Sequence, residues 1–181
     1  PALEQYLLRG APSDCPAILV SAYDAMQYCN WLSSQEGLVP DELCYEESWD
    51  GTLSAKPDFL RKQGYRLPTL EEWVLACRAG TETAFSFGND WDLLPAYAWY
   101  YANSRIDGHN RARPVGRLKP NPWGLSDLYG NAWEWTTNFG AAHWSVLCGA
   151  CCDNDPVDLQ DIGRVNQGDP ATREHRIGFR I

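Results

Sequence analysis

The sequence lacks the features that would place the chain in a membrane or on a nucleic acid. No apolar run approaches the roughly 20 residues that cross a bilayer. The start, Pro1 to Glu4, has neither an initiator methionine nor a charged-then-apolar signal pattern. Lys and Arg number 15 against 24 Asp and Glu, a formal net charge of -9, so a phosphate-binding surface is not expected. We predict a soluble chain without membrane insertion or a nucleic-acid partner.

The cysteines do not form the pattern of a secreted disulfide framework. Seven is an odd number, and three of them cluster as Cys148, Cys151 and Cys152 while the others are scattered. This favours a reducing compartment such as the cytoplasm, without identifying one. The cluster leaves three alternatives open: a metal site completed by further ligands such as His143 and His175, a redox pair, or thiols that only pack.

Two helices are predicted within a single domain, 1–181, that we expect to be the C-terminal part of a longer protein. Ser21 to Ser33 has apolar residues at helical spacing behind a capping serine, and Asp24 follows three residues later. Thr69 and Glu72 form a second capping box, and Gly80 is the stop signal of that helix.

The rest of the chain predicts loops and short strands. Residues 38–64 indicate a surface excursion with one short hairpin near Leu43 to Tyr45. From Ala84 onward, aromatic and turn residues alternate in short runs that are typical of short strands. The segment 121–135 holds three tryptophans among many Asn and Gly residues, so we predict an irregular, packed loop there. This order predicts an α+β domain.

Three segments resemble one known family. They are YRLPTLEEWVLACRAGT over 65–81, Trp133-Glu134-Trp135 within the segment 121–135, and IGFRI over 177–181. Together they resemble the formylglycine-generating-enzyme/sulfatase-modifying-factor family, over about Val20 to Ile181. The resemblance implies a C-type-lectin-like fold with two helices, short antiparallel strands and much irregular loop.

The resemblance also allows a test for catalytic residues. Enzymes of the family oxidise a sulfatase cysteine with a copper-binding cysteine pair, set in a segment close to R-G-G-S-W-x-C-x-x-x-x-C. With Gly149 as the first glycine of that segment, the two cysteine positions fall on Asn154 and Leu159, and no cysteine follows Cys152. We therefore predict no catalytic residue, no copper and no enzyme activity.

Other relatives join sulfur to histidine derivatives with non-haem iron. The three histidines here, His109, His143 and His175, are not paired at helical metal-binding spacing. No iron is expected either.

The tail over about 146–181 resembles the variable region of proteins diversified by diversity-generating retroelements. Scaffold positions of that pattern are occupied by Pro156, Val157, Leu159, Arg164, Pro170, Arg173, Ile177, Gly178, Phe179 and Arg180. The resemblance implies exposed, ligand-binding variable positions at Cys148, Ala150, Cys151, Cys152, Asp153, Asn154, Asp155, Asp158, Asp161, Val165, Asn166, Gln167, Thr172, Glu174, His175 and Arg176. We predict a non-enzymatic display protein for a protein or other macromolecular ligand. A family enzyme and a fixed interaction module of a signalling protein remain the alternatives.

Calcium is the remaining predicted ligand. The resemblance implies one loop site at Asn103, Ser104, Asp107 and His109, and another at Tyr129, Gly130, Ala132 and Glu134. Carboxylate, amide and carbonyl oxygens suit this cation, and the step from Asp107 to Gly108 suits a tight turn around it. Glu134 has two alternatives, since it could accept backbone N–H bonds or pair with an arginine.

Overall fold

The computed structural model describes residues 14–137, 145–160 and 166–181, and both predicted helices are confirmed in it. They are α1, Ala22–Gln35, and α2, Leu70–Arg78. Ser21 and Asp24 exchange the two hydrogen bonds of a capping box at the start of α1, as Thr69 and Glu72 do at the start of α2. After α2 the backbone turns into the left-handed region, with Gly80 at φ 83°.

Ten short strands make up the β structure of the described residues. They are β1 Tyr45–Glu47, β2 Leu53–Ala55, β3 Ala98–Trp99, β4 Arg105–Ile106, β5 His109–Asn110, β6 Tyr129–Gly130, β7 Trp133–Thr136, β8 Ser145–Cys148, β9 Asn166–Gly168 and β10 Ile177–Phe179. Four of them form the main sheet in the order β10-β7-β8-β9, and the others pair as β1–β2, β3–β6 and β4–β5. A third, short helix, α3, spans Pro156–Gln160.

The prediction of an irregular loop over 121–135 is wrong in its second half. Residues 133–136 form β7, an inner strand of the main sheet, which pairs with β10 on one side and β8 on the other. All four residues of β7 are buried. Burial on both faces removes the alternation by which a half-exposed strand is recognised in sequence, and so the tryptophans looked like loop packing.

The core lies between α1, α2 and the main sheet. Trp73 of α2 and Trp135 of β7 are its largest fully buried side chains, at 1% and 0% exposure. The Trp135 indole N–H donates to the Val20 carbonyl, 2.9 Å away, just before α1 begins. This bond ties the sheet to the first helix and satisfies a buried donor that would otherwise cost stability.

The α+β class is confirmed, with differences in detail. The predicted hairpin forms between β1 and β2, slightly later in the chain than expected. The pairs β10–β7 and β3–β6 are parallel, where antiparallel pairing was expected. In the described ranges, no helix is both long and apolar enough to span a bilayer.

Candidate ligand-binding groove

A buried ion pair holds the end of the tail against the core. Glu134 of β7 is 8% exposed, and its carboxylate accepts three hydrogen bonds. One comes from the Trp73 indole N–H at 2.7 Å, and two come from the Arg180 guanidinium at 2.8 and 3.0 Å. Arg180 also donates to the Ser126 carbonyl, 2.9 Å away. The two-pronged geometry orients both groups and offsets part of the cost of burying them.

A second arginine holds the middle of the tail against α1. The Arg173 guanidinium donates to both carboxylate oxygens of Asp24, at 2.7 and 2.9 Å. Burial acts to raise the pKa of Asp24, but the bonds from Arg173 and Ser21 outweigh it and hold that pKa below its usual value. The tail is therefore fixed at two points, by residues that the sequence pattern assigns to the scaffold.

The β4–β5 hairpin forms one side of a surface groove. Asp107 and Gly108 both have positive φ, 50° and 83°, as a tight two-residue hairpin turn requires. The Arg105 guanidinium donates to the Gly108 carbonyl at 3.0 Å, which braces the turn. Arg105, His109 and Arg111 are all exposed. We call residues 105–111 the hairpin wall.

The opposite side of the groove comes from the tail. The cavity has a volume of about 630 Å³ and is lined by Tyr101, Arg105, Gly108, His109, Asn110, Arg111, Asp153, His175 and Arg176. The Arg176 side chain forms an ion pair with Asp153 at 2.9 Å and lies 3.2 Å from His175 Nε2. We call Asp153, His175 and Arg176 the tail wall, and all three were predicted as variable.

Nine of the other predicted variable positions divide into three groups. Asn154, Asp155, Asp158, Thr172 and Glu174 are exposed or half-buried outside the groove. Asp161 and Val165 lie outside the described residues. Asn166 and Gln167 belong to β9, which pairs with β8, and only their backbone is described.

The prediction of exposure is wrong for four variable positions, Cys148, Ala150, Cys151 and Cys152. Each is no more than 1% exposed. The chain leaves β8 and passes beneath neighbouring loops, where the Cys152 N–H donates to the Asn131 carbonyl and the Cys152 carbonyl accepts from the Ser104 hydroxyl. These side chains face the core, so they cannot contact a ligand from their present positions.

Burial also decides how these thiols behave. It raises the pKa of Cys148 to about 12. Contact with the Cys152 thiol lowers the pKa of Cys151, while the same contact, together with burial, raises the pKa of Cys152. Across the described residues, no three His, Cys, Asp or Glu side chains are arranged to hold a metal ion. Of the three alternatives, packing thiols fit this arrangement, and His143 lies outside the described residues.

The two positions matched to the family's copper-binding cysteines have structural roles. The Asn154 side-chain oxygen accepts the Cys151 N–H at 2.8 Å, which closes the turn before α3. Leu159 is 3% exposed and belongs to the core. Neither side chain supplies sulfur to a metal.

In the first predicted calcium set, two of the four side chains are held by hydrogen bonds within the protein. The Asn103 side chain accepts from the Tyr100 N–H and donates to the Ala98 carbonyl. The buried Ser104 hydroxyl donates to the Cys152 carbonyl. Asp107 and His109 are exposed, and of these two side chains only Asp107 offers an oxygen of the kind that calcium prefers.

In the second predicted set, an arginine binds the only carboxylate among the four residues. Arg180 binds both oxygens of Glu134, so a cationic side chain already lies where a cation would have to bind. The Gly130 carbonyl accepts from the Ala132 N–H. Of the two alternatives for Glu134, the structure shows the one in which it pairs with an arginine. Calcium binding stays a prediction.

Sequence reasoning missed Tyr101, Arg105 and Arg111 as groove residues. The available signal was the pair Asp107-Gly108, a strong hairpin indicator with an arginine on either side. The sequence pattern instead led to the prediction that this turn is part of a calcium site. Which tail residues face the hairpin depends on tertiary packing and is not visible in the local pattern.

Comparison with known proteins gives a match to one family and to individual relatives. Residues 7–181 match the Sulfatase-modifying factor enzyme 1-like domain family. The chain is 38% identical over 117 residues to a formylglycine-generating enzyme of Mycobacterium tuberculosis, a match that covers 58% of this chain and 38% of that protein. It is 30% identical over 129 residues to the inactive C-alpha-formylglycine-generating enzyme 2 of Bos taurus, covering 68% of this chain and 33% of that protein. The chain thus spans well under two thirds of these relatives' length.

A solved structure gives the corresponding match in three dimensions. Treponema denticola variable protein 1 superposes with a TM-score of 0.77 at 27% identity, over 95% of this chain and 72% of that chain. The similar proteins therefore include named enzymes, a protein named as inactive and a variable protein.

Proposed function

The chain belongs to the sulfatase-modifying factor enzyme 1-like family, and from that premise we propose that it is a non-enzymatic ligand-binding protein, diversified by a retroelement. In this proposal the tail wall selects the ligand. The observation that carries it is the position of Asp153, His175 and Arg176, which line a groove of about 630 Å³. These are chemically unrelated side chains on a backbone that other residues hold in place.

The tail backbone is fixed by contacts that do not involve the groove residues. Arg173 binds Asp24 of α1, and Arg180 binds Glu134 of β7. Both bonds reach residues outside the tail, so an exchange at Asp153 or His175 leaves them intact. A binding surface tolerates sequence change when its backbone is held by something else.

The residues at the two matched positions, neither of them cysteine, favour binding over oxidation chemistry. Copper oxidation by the family's route needs two cysteine ligands, and their matched positions here are Asn154 and Leu159. Asn154 closes a turn and Leu159 packs in the core. Incubation with copper and a Cys-x-Pro-x-Arg peptide is the direct check, and aldehyde formation would contradict the non-enzymatic proposal.

The main test exchanges residues on the tail wall. Ligands are first selected from a peptide library displayed against the wild-type chain. The pair Asp153→Ser and His175→Asn should then bind a different subset of those ligands. The matched pair, Asp155→Ser and Glu174→Asn, changes exposed residues outside the groove and should keep the wild-type subset. Equal binding by both pairs would exclude the tail wall as the selecting surface.

Diversification has its own test in the surrounding DNA. The proposal requires a reverse transcriptase gene nearby and a near-copy of the tail sequence that differs at adenines. A neighbourhood without them favours the fixed interaction module, and that result would leave the groove experiment unaffected.

A further inference from the structure

The groove is positively charged although the chain is acidic. Three guanidinium groups, those of Arg105, Arg111 and Arg176, line it together with His109, His175 and a single carboxylate, Asp153. The whole chain has a formal net charge of -9. The charge of the groove lining is therefore opposite in sign to the net charge of the chain.

The charge on the hairpin wall is available to a ligand. Asp153 forms its ion pair with Arg176. Among the described residues, no carboxylate forms an ion pair with Arg105 or Arg111, and both are exposed. Two guanidinium groups on one short hairpin can each donate two parallel hydrogen bonds to a carboxylate.

The hairpin wall lies outside the tail segment, which has a consequence for the ligand. On the proposed function, the tail wall changes from one version of the protein to another, whereas Arg105 and Arg111 stay. We infer that the hairpin wall gives the groove a constant preference for anionic ligands, while the tail wall selects among them. This inference rests on the proposed function and adds a ligand class to it.

The ligand that fits best is a short acidic peptide segment. At physiological salt, charges are screened beyond about 8 Å, so the groove attracts a carboxylate that is close to it. A long polyanion would extend past the groove over a surface that repels it, because the chain as a whole is acidic. The half-exposed Tyr101 ring and the Asp153 carboxylate add apolar and acceptor contacts, which suit a peptide with side chains and N–H groups.

The test compares two labelled peptides by fluorescence anisotropy on the full chain. One carries several glutamates, and the other carries glutamine at the same positions. We expect the glutamate peptide to bind at least roughly tenfold more tightly, as two charge-assisted contacts would give. Its affinity should also fall as salt is raised.

Matched charge variants localise the effect. Arg105→Gln with Arg111→Gln should weaken glutamate-peptide binding roughly tenfold. Arg61→Gln with Arg117→Gln removes the same charge from exposed positions outside the groove. The affinity of this control for the glutamate peptide should stay within about twofold of the wild-type value, as for other changes of surface charge. Arg111→Gln alone keeps the brace between Arg105 and Gly108, so it separates lost charge from a disturbed hairpin.

Three results would overturn the inference. They are equal binding of both peptides, equal losses in the groove and control variants, and tighter binding of a sulfated oligosaccharide than of the glutamate peptide. If peptides selected in the library experiment still respond to Asp153→Ser and His175→Asn while carrying no excess of acidic residues, the display function stands and the anionic preference fails.

Discussion

At the scale of single residues, the structure depends on one buried acid. Glu134 receives bonds from Trp73 and Arg180, one on α2 and the other on the last part of the tail. Its charge is balanced by one guanidinium group that is itself only 29% exposed. Removing one partner of such a pair leaves the other charge buried without compensation, which costs more than the pair contributes.

The exchange Glu134→Gln keeps the size of the side chain and removes its charge. We expect the free energy of unfolding to fall by about 3 kcal/mol, measured by urea denaturation. Glu71→Gln is the control, because Glu71 is exposed on the same helix as Trp73 and should change stability by less than about 0.5 kcal/mol. A loss for Glu134→Gln as small as that of the control would mean that Arg180 finds another partner.

Residue-level prediction from the sequence succeeded in part. The arginines assigned to the scaffold, Arg173 and Arg180, do hold the tail in place. The cysteines assigned to the surface are buried. A resemblance in sequence carries no direct information on the direction of a side chain, which depends here on how the chain turns after β8.

At the scale of elements, the helices were predictable because their signals are local. A capping box lies within four residues, and α1 and α2 each have one. Strand β7 was missed because its state depends on β8 and β10, which lie elsewhere in the sequence. Inner strands that are buried on both faces lack the period by which strands are predicted.

The start of α2 gives a pH prediction. The hydrogen bond from Arg66 lowers the pKa of Glu72, and this effect outweighs the opposing effect of burial. A carboxyl group whose folded pKa is lowered stabilises the fold above its unfolded pKa of about 4.5, and that stability is lost as the pH falls through the folded value.

The variant Glu72→Gln provides the comparison. Its side-chain oxygen still accepts the Thr69 N–H bond of the capping box, but it has no acid to protonate. The wild type should be more stable than the variant at neutral pH, and the difference should shrink below about pH 4.5. Urea denaturation at a series of pH values measures this difference in the free energy of unfolding. A difference that does not change with pH would exclude Glu72 as the titrating group.

At the scale of the whole molecule, the boundary between scaffold and surface differs from the one predicted. The tail is one segment in sequence but contributes to both. Residues 148–152 pack beneath the loops, whereas Asp153, His175 and Arg176 face the groove. Tolerance to substitution should therefore change sharply between neighbouring positions.

Exchanging a buried and an exposed tail residue for asparagine gives a direct comparison. Cys151→Asn introduces a larger amide into a fully buried site, and we expect a loss of roughly 1 to 3 kcal/mol. Asp155→Asn changes an exposed side chain and should cost less than about 0.5 kcal/mol. Thermal unfolding of the two variants distinguishes the sites, and equal tolerance would show that Cys151 is free to vary.

The position of Arg180 has a consequence for biosynthesis. The counter-charge of Glu134 is supplied after every other element of the fold has been made. The ion pair between Glu134 and Arg180 therefore cannot form until Arg180 has left the ribosome. A chain cut short before Arg180 would keep Glu134 buried without its counter-charge, and we expect it to be less stable for that reason. On the proposed function, this dependence would select against shortened tails, because only a chain that reaches Arg180 has its buried acid balanced.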